Sequence, residues 1–403
     1  MAVQTQQRPS MRWRNWLPSL LVIVILVTII WRINYLTETF DRFNAAYFVR
    51  AFTESFKLGS LYALIAIGYT LVYGIIRLIN FAHGEVFMVG AFASYFLFSQ
   101  TPYGWLPALF FALILAYGLM RVLELWRGNL KDPLVLVSGA VILVIATLVL
   151  RSTQIPFIIA ILFSMLTTGV LGILIDRVAY KPLRTAPRNS LLITAIAVSF
   201  FLQNFGLLAF TNRQTPYRPD TNWNTSLMFE VGGNPVITNW LVVVIPVISL
   251  VLVIGLTQFV NRTKLGKAMR ASAQDAEVAQ MMGVSVDKVI ATTFLLGSIL
   301  AAAGGAMWGL NFGSLNQPAV LGILPGIKAF AAAVIGGIGS LPGAVIGAMV
   351  IGFSENFLTA VFPRTPDFQG ITEFKDTFAF VLLILVLLIK PSGIVGEDLS
   401  EKV

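Results

Sequence analysis

The chain contains no cysteine and a single histidine, His83. Disulfides and thiolate metal sites are excluded on that count, as is any metal site built from several imidazoles. Charge is scarce too: Asp, Glu, Lys and Arg make up 12% of 403 residues, about half the share of a soluble domain. No catalytic site is expected, because His83 and Glu85 have no third orienting group or nucleophile beside them in sequence. Nucleotide binding fails on spacing. Gly266 and Lys267 look like the end of a phosphate-binding loop, but Asn261 stands where its first glycine belongs and Ala268 replaces Ser or Thr. The run GGIGSLPG at 336–343 lies in an apolar stretch without a soluble strand–helix–strand unit around it, so it is no dinucleotide fingerprint. No cofactor is expected, and the chain carries no ATPase of its own.

What the chain has instead is apolar surface. Hydrophobic residues make up 57% of it and the mean hydropathy is +0.82. Many runs approach the roughly 20 apolar residues that cross a bilayer core. The expected fold is an all-α polytopic membrane protein of about 8–12 transmembrane helices, with interrupted or re-entrant segments. The net charge of +9 gathers in loops between spans, as the positive-inside rule produces, and is not read as a nucleic-acid signal.

Arg8, Arg12 and Arg14 precede an apolar run at 17–30, and no small-residue cleavage site follows at Trp31–Tyr35. This reads as a retained first span with a cytoplasmic start. A charge-balanced stretch at 34–57 suits the outer side. Spans are then expected at 58–76, 81–98, 105–120, 133–150, 155–175, 191–210 and 240–260, with a tight connection at Pro102–Gly104 and a break at Arg151 and Gln154. Beyond residue 288 come 289–310, two crossings within 326–358, and 378–389, which Pro391 stops. Twelve crossings place the basic loops 176–189 and 262–288 on the side of the N-terminus, and the neutral loop 211–238 opposite. The expected organisation is an N-terminal tail and extra span at 1–45, a transmembrane domain at 46–395 and a cytoplasmic tail at 396–403.

Three stretches stand out. The loop 262–288 holds an approximate capping box at Ser272 and Asp275, a helix over 273–282 with a small-residue stripe at Ala273, Ala276 and Ala279, and Gly283 at its left-handed end. It is either an ordinary connector or a docking surface for another protein. The stretch 77–90 gathers Asn80, His83, Gly84 and Glu85 beside Arg77. These either line a translocation path through a broken helix or sit at headgroup level and anchor helix ends. In the run 333–350, Gly339, Gly343 and Gly347 recur every fourth residue, while Gly336 and Gly337 interrupt the helix before them. That pattern suits close helix packing in lipid, and interrupted segments in both halves also suit a central substrate path.

Four stretches together resemble the permease subunits of ATP-binding-cassette (ABC) importers for branched-chain amino acids: 68–92 (GYTLVYGIIRLINFAHGEVFMVGAF), 176–184 (DRVAYKPLR), 269–294 and 328–355. The resemblance covers roughly residues 50–395. It implies a permease that moves branched-chain or neutral amino acids across the bacterial inner membrane. It also implies a second homologous permease subunit, two ABC ATPase subunits and a periplasmic substrate-binding protein as partners, with the lipid bilayer around them. Within the cytoplasmic loop, Glu277, Ala279 and Gly283 match the family's coupling pattern, Val278 departs from it, and Arg270 and Asp275 flank it. The resemblance makes this loop the contact through which the ATPase moves the spans. The N-terminal span and the region 105–154 lengthen the chain beyond typical members. Sister branches that carry urea or short amides share the same motifs. A secondary transporter would need buried carboxylates, for which Glu85 and Glu355 are the candidates, and an intramembrane enzyme would use His83 and Glu85.

Overall fold

The computed structural model describes residues 13–99, 105–127, scattered positions between 141 and 150, and 155–396. The expected tail at 1–12, the connection at 102–104, most of the span at 133–150, the break at 151–154 and the tail at 397–403 lie outside the described residues. Long apolar helices dominate: α1 (Trp13–Thr39), α2 (Ala45–Ile76), α3 (His83–Phe98), α4 (Trp105–Arg127), α5 (Phe157–Ile175), α6 (Arg188–Ala209) and α7 (Leu241–Arg262). After two short helices, α8 (Lys264–Gln274) and α9 (Ala276–Met281), come α10 (Val286–Phe312), α11 (Pro318–Gly336), α12 (Leu341–Val361) and α13 (Lys375–Ile389). Among the described residues, 8 helices are long and apolar enough to cross a membrane, and α3 is a shorter apolar helix. The chain is an all-α polytopic membrane protein.

The centre of the bundle is α2. Every residue from Lys57 to Val72 is buried, because α12, α10, α11, α7 and α3 surround it. Such crowding in lipid needs small residues at the crossings, since hydrocarbon tails offer no hydrophobic drive for helices to associate. The sequence supplies them. Gly352 of α12 packs on the Gly59 backbone of α2, and Gly305 of α10 faces the Phe87 carbonyl and the Ala91 amide of α3. By contrast α1 leaves Val22–Val27 half-exposed and meets the body through a small cluster of Leu36, Phe43, Phe48 and Val361.

Four expectations change. Residues 45–57 belong to α2 rather than to an outer loop, and Asn44 caps the helix by accepting a 3.0 Å hydrogen bond from the Tyr47 amide. Helix α4 continues past 120 to Arg127. The polar loop 211–238 contains a β-hairpin: β2 (Ser226–Val231) pairs antiparallel with β3 (Asn234–Asn239) across Gly232 and Gly233, both at positive φ. A two-stranded bridge also joins β1 (Thr215–Pro216) to β4 (Ser314–Leu315). Finally, Gly339 is not part of the packing face of α12. It lies at φ +100° in the turn before that helix, where a Cβ would meet nothing within 4 Å. The close approach is made by Gly343 and Gly347 of α12. A Cβ on Gly343 would meet the Gly336 carbonyl at 2.5 Å, and one on Gly347 would collide with the Ala332 carbonyl. Gly337, at φ +108°, packs against Gly396.

Candidate functional site

Three features could serve transport, at different depths of the bundle. The first is the connection after α7. Thr263 caps α8 by accepting from the Gly266 amide at 2.9 Å, and Arg270 Nη1 donates to the Val260 carbonyl that α7 leaves open. The expected single helix over 273–282 is two helices. Asp275 Oδ1 accepts from the amides of Glu277 and Val278, at 2.9 and 3.0 Å, and so starts α9 anew. A short acid that can bond its own downstream backbone competes with helix continuation in this way. The break separates the alanine stripe: Ala279 is buried, whereas Ala273 is half-buried and Ala276 exposed. Gly283 closes α9 at φ +86°. The outward face of α9 carries Glu277 and Val278, followed by Met281 and Met282 at 80% and 81% exposure. Sequence reasoning passed over the two methionines, although an exposed Met pair is an adaptable apolar contact.

The start of α10, just after α9, is tied to the other basic loop. Arg184 reaches Asp176 and Asp287, both at 2.5 Å, and Lys181 reaches Asp287 at 2.7 Å. Asp287 stands in the first turn of α10, so both loops expected on the cytoplasmic side lie at one end of the bundle.

The second feature is the break between α2 and α3. Helix α2 ends at Ile76 with Arg77 in the left-handed region at φ 55°. The chain then runs without helix until α3 begins at His83, which packs beside Gly68 of α2 and 4.8 Å from the Tyr69 ring. At about 1.5 Å per residue, Gly68 lies about 12 Å inside the end of α2. Residues 77–82 therefore climb back into the bundle, and α3 starts at depth. Asn80 organises this climb: its Oδ1 accepts from the Ala82 amide at 3.2 Å and from the Tyr180 hydroxyl at 2.7 Å. Glu85 Oε1 accepts from Gln203 Nε2 at 2.9 Å. Gly84 touches Gly322 and Gly326 of α11, where a side chain would collide with the Gly322 carbonyl. All four residues are buried in the bundle.

The third feature is a polar cavity of about 580 Å³, lined by α2, α10, α11, α12 and the start of α13. None of Asn80, His83, Gly84 or Glu85 lines it. Its floor is an ionic cluster. Lys328 Nζ of α11 lies 2.7 Å from Glu355 Oε1 and 2.6 Å from Asp376 Oδ1, and the Tyr62 hydroxyl donates to Glu355 Oε2 at 3.0 Å. Glu355 and Lys328 are 5% and 8% exposed by side chain, Asp376 53%. Higher up, Lys57 pairs with Glu54 at 2.6 Å, and Thr238 of the hairpin donates to the same carboxylate at 3.0 Å. The cavity also touches Trp308, Asn311 and Phe312 at the last turn of α10. From Val286 to Trp308 that helix spans about 33 Å, so cavity and α9 stand at opposite ends of one continuous element. Lys328 was missed as a site residue, although it is the lone charge of its apolar run, and such a charge in a span marks a functional place.

With this geometry in view, the chain can be set beside known proteins. Residues 52–387 match the family described as branched-chain amino acid transport system / permease component. The chain belongs to this family. It is 35% identical to the high-affinity branched-chain amino acid transport system permease protein BraD of Pseudomonas aeruginosa, over 89% of this chain and 98% of that one. The permease protein LivH of Escherichia coli, described in the same words, is 36% identical over the same shares. A probable branched-chain amino acid transport permease protein of Methanocaldococcus jannaschii is 29% identical over 84% of this chain and 90% of its own. No solved structure matches. The chain is thus a multi-pass transporter subunit, a permease component rather than an enzyme.

Proposed function

We propose that this permease is the membrane-spanning subunit of an ATP-driven importer that carries branched-chain amino acids across the bacterial inner membrane. In this reading, ABC ATPase subunits dock on α9 from the cytoplasm, a second permease chain completes the membrane part, and a periplasmic binding protein delivers substrate to the hairpin end. The observation that carries it is the alignment of α10. Its base, which follows directly on α9, is fixed to the basic loop 176–189 through Asp287, and its far end lines the polar cavity. A rigid helix with one end at an exposed docking surface and the other at a ligand-sized cavity converts a push at α9 into a change of cavity shape. The surface at Glu277, Val278, Met281 and Met282 has the apolar centre and charged edge that a protein partner needs. Asp275, Ala279 and Gly283 set its backbone, and Arg270 fixes it to α7. Asn80, His83, Gly84 and Glu85 lie deeper than the cavity, separated from it by the Gly322 and Gly326 face of α11, and form the next stage of the path.

The test is uptake in proteoliposomes holding the complete transporter with its binding protein outside. Leucine, isoleucine and valine should accumulate with ATP in the lumen and not with a proton or sodium gradient alone. Uptake that follows the gradient and ignores ATP would overturn the reading.

A further inference from the structure

The floor of the cavity combines opposite charges in a way the permease fold alone does not require. Lys328 and Glu355 face each other there, each more than nine-tenths buried. A buried ion pair is weak as a stabilising device, because desolvation consumes most of the attraction. Its placement is informative instead. Tyr62 holds Glu355 through Oε2 only, while Oε1 accepts no aligned hydrogen bond among the described residues despite lying 2.7 Å from Lys328 Nζ. Asp376, half-exposed, gives Lys328 a second partner. The Lys328–Glu355 contact can therefore open without leaving the ammonium alone.

The wall above the pair is apolar. Val320 and Leu324 are eight and four residues before Lys328, on one stripe of α11, and both line the cavity at 41% and 46% exposure. We propose that this floor is a transient subsite for an amino-acid zwitterion. Lys328 receives the α-carboxylate, Glu355 receives the α-ammonium, and the Val320–Leu324 stripe receives the aliphatic side chain. The assignment rests on the transport reading above and gives that reading its residues.

Charge balance supports the choice of ligand. A zwitterion inserted between Lys328 and Glu355 replaces one ion pair by two and leaves the net charge of the site unchanged. A lone carboxylate would satisfy Lys328 and strand the buried Glu355, which is the costly outcome. A lone amine would satisfy Glu355 and leave Lys328 only its half-exposed partner Asp376, so it makes one of the two new ion pairs. Urea or a short amide gains nothing from separated opposite charges. A cavity of about 580 Å³ is within the range of small-molecule sites, roughly 300–1,000 Å³.

The absence of cysteine provides the assay. Leu324→Cys creates the only thiol of this chain, and its reaction with a small water-soluble thiol reagent is followed as a mass shift in vesicles holding the complete transporter. Leucine at about twice its dissociation constant should slow labelling about threefold by mass action. 4-Methylpentanoate, which lacks the ammonium, should not slow it, and leucinol, which lacks the carboxylate, should slow it less than leucine does. In a Lys328→Met, Glu355→Gln background, where both charges of the buried pair are removed together and only the half-exposed Asp376 loses a partner, leucine protection should vanish. Equal protection by all three compounds, or leucine protection that survives the double substitution, would overturn the subsite. No protection by leucine while the unsubstituted transporter still takes up leucine with ATP would overturn the subsite alone. No leucine uptake by the unsubstituted transporter would overturn the transport reading itself.

Discussion

Gly283 offers a way to separate two physical explanations for one residue. It ends α9 at φ +86°, and a Cβ there would meet nothing within 4 Å. Space is therefore no obstacle within the chain, and backbone conformation is. An L-residue held in the left-handed region costs about 1–2 kcal/mol. Helix α9 has little to set against that. It is six residues long, has one buried side chain, Ala279, and is closed by Val284 N–H donating to the Ala279 carbonyl at 3.0 Å. A strain of about 1.4 kcal/mol lowers the ratio of formed to unformed α9 about tenfold. The measurement is leucine accumulated per ATP hydrolysed in proteoliposomes. Gly283→Ala and Gly283→Arg should both fall by a similar factor, and Gly283→Asn should retain most coupling, because Asn tolerates positive φ better than other residues. If Gly283→Ala couples normally and only Gly283→Arg fails, the requirement is close approach of a partner surface, and the conformational argument is refuted.

Further outcomes follow from individual contacts. Asp275→Ala removes both cap bonds of α9 and should cost about 1 kcal/mol locally, visible as faster amide exchange at Glu277 and Val278 with the spans unaffected. Arg184→Met strands Asp176, whose side chain is 2% exposed, whereas Asp287 is 56% exposed and keeps Lys181. Thermal unfolding in detergent should therefore show a loss of about 3 kcal/mol for Arg184→Met and less than about 1 kcal/mol for Asp287→Asn. Equal losses would contradict this partition. Gly305→Val drives a side chain into the Phe87 carbonyl and the Ala91 amide and should lower assembled yield sharply. Gly255→Ala in α7, where a Cβ meets nothing within 4 Å, should be neutral or stabilising by up to about 1 kcal/mol.

Most of the architecture was legible in the sequence because hydropathy reports the bilayer directly. Most spans and the break after Ile76 followed from where apolar runs stop. What escaped was set by geometry between distant segments. The polar residues at 45–57 belong to α2 because Lys57 finds Glu54 one turn away and the hairpin covers that carboxylate through Thr238. No local pattern announces the hairpin's position. Asp275 was legible as a capping residue but placed inside the first turn of a helix begun by Ser272, whereas its own side chain is the N-cap of α9 and Ser272 lies within α8. The glycine period at Gly339, Gly343 and Gly347 was real in spacing and wrong in extent, because the helix begins only at Leu341. Periodicity shows which residues would share a face if a helix were present, and it cannot show where the helix starts.

The candidate path was half legible for a related reason. The stretch 77–90 draws attention because four polar residues crowd one short segment. Lys328 and Glu355 are separated by 27 positions, and each reads alone as an isolated charge in an apolar run. Only the packing of α11 against α12 brings them to 2.7 Å. Small residues make that approach possible, since Gly343 and Gly347 bring the two backbones together below the pair. The same glycines that look structural therefore set the distance between the charges. Widening this crossing with Gly347→Val should separate Lys328 from Glu355 without touching either. If the charge pair governs substrate passage, leucine uptake should fall in that variant at assembly levels where docking of the ATPase at α9 is intact.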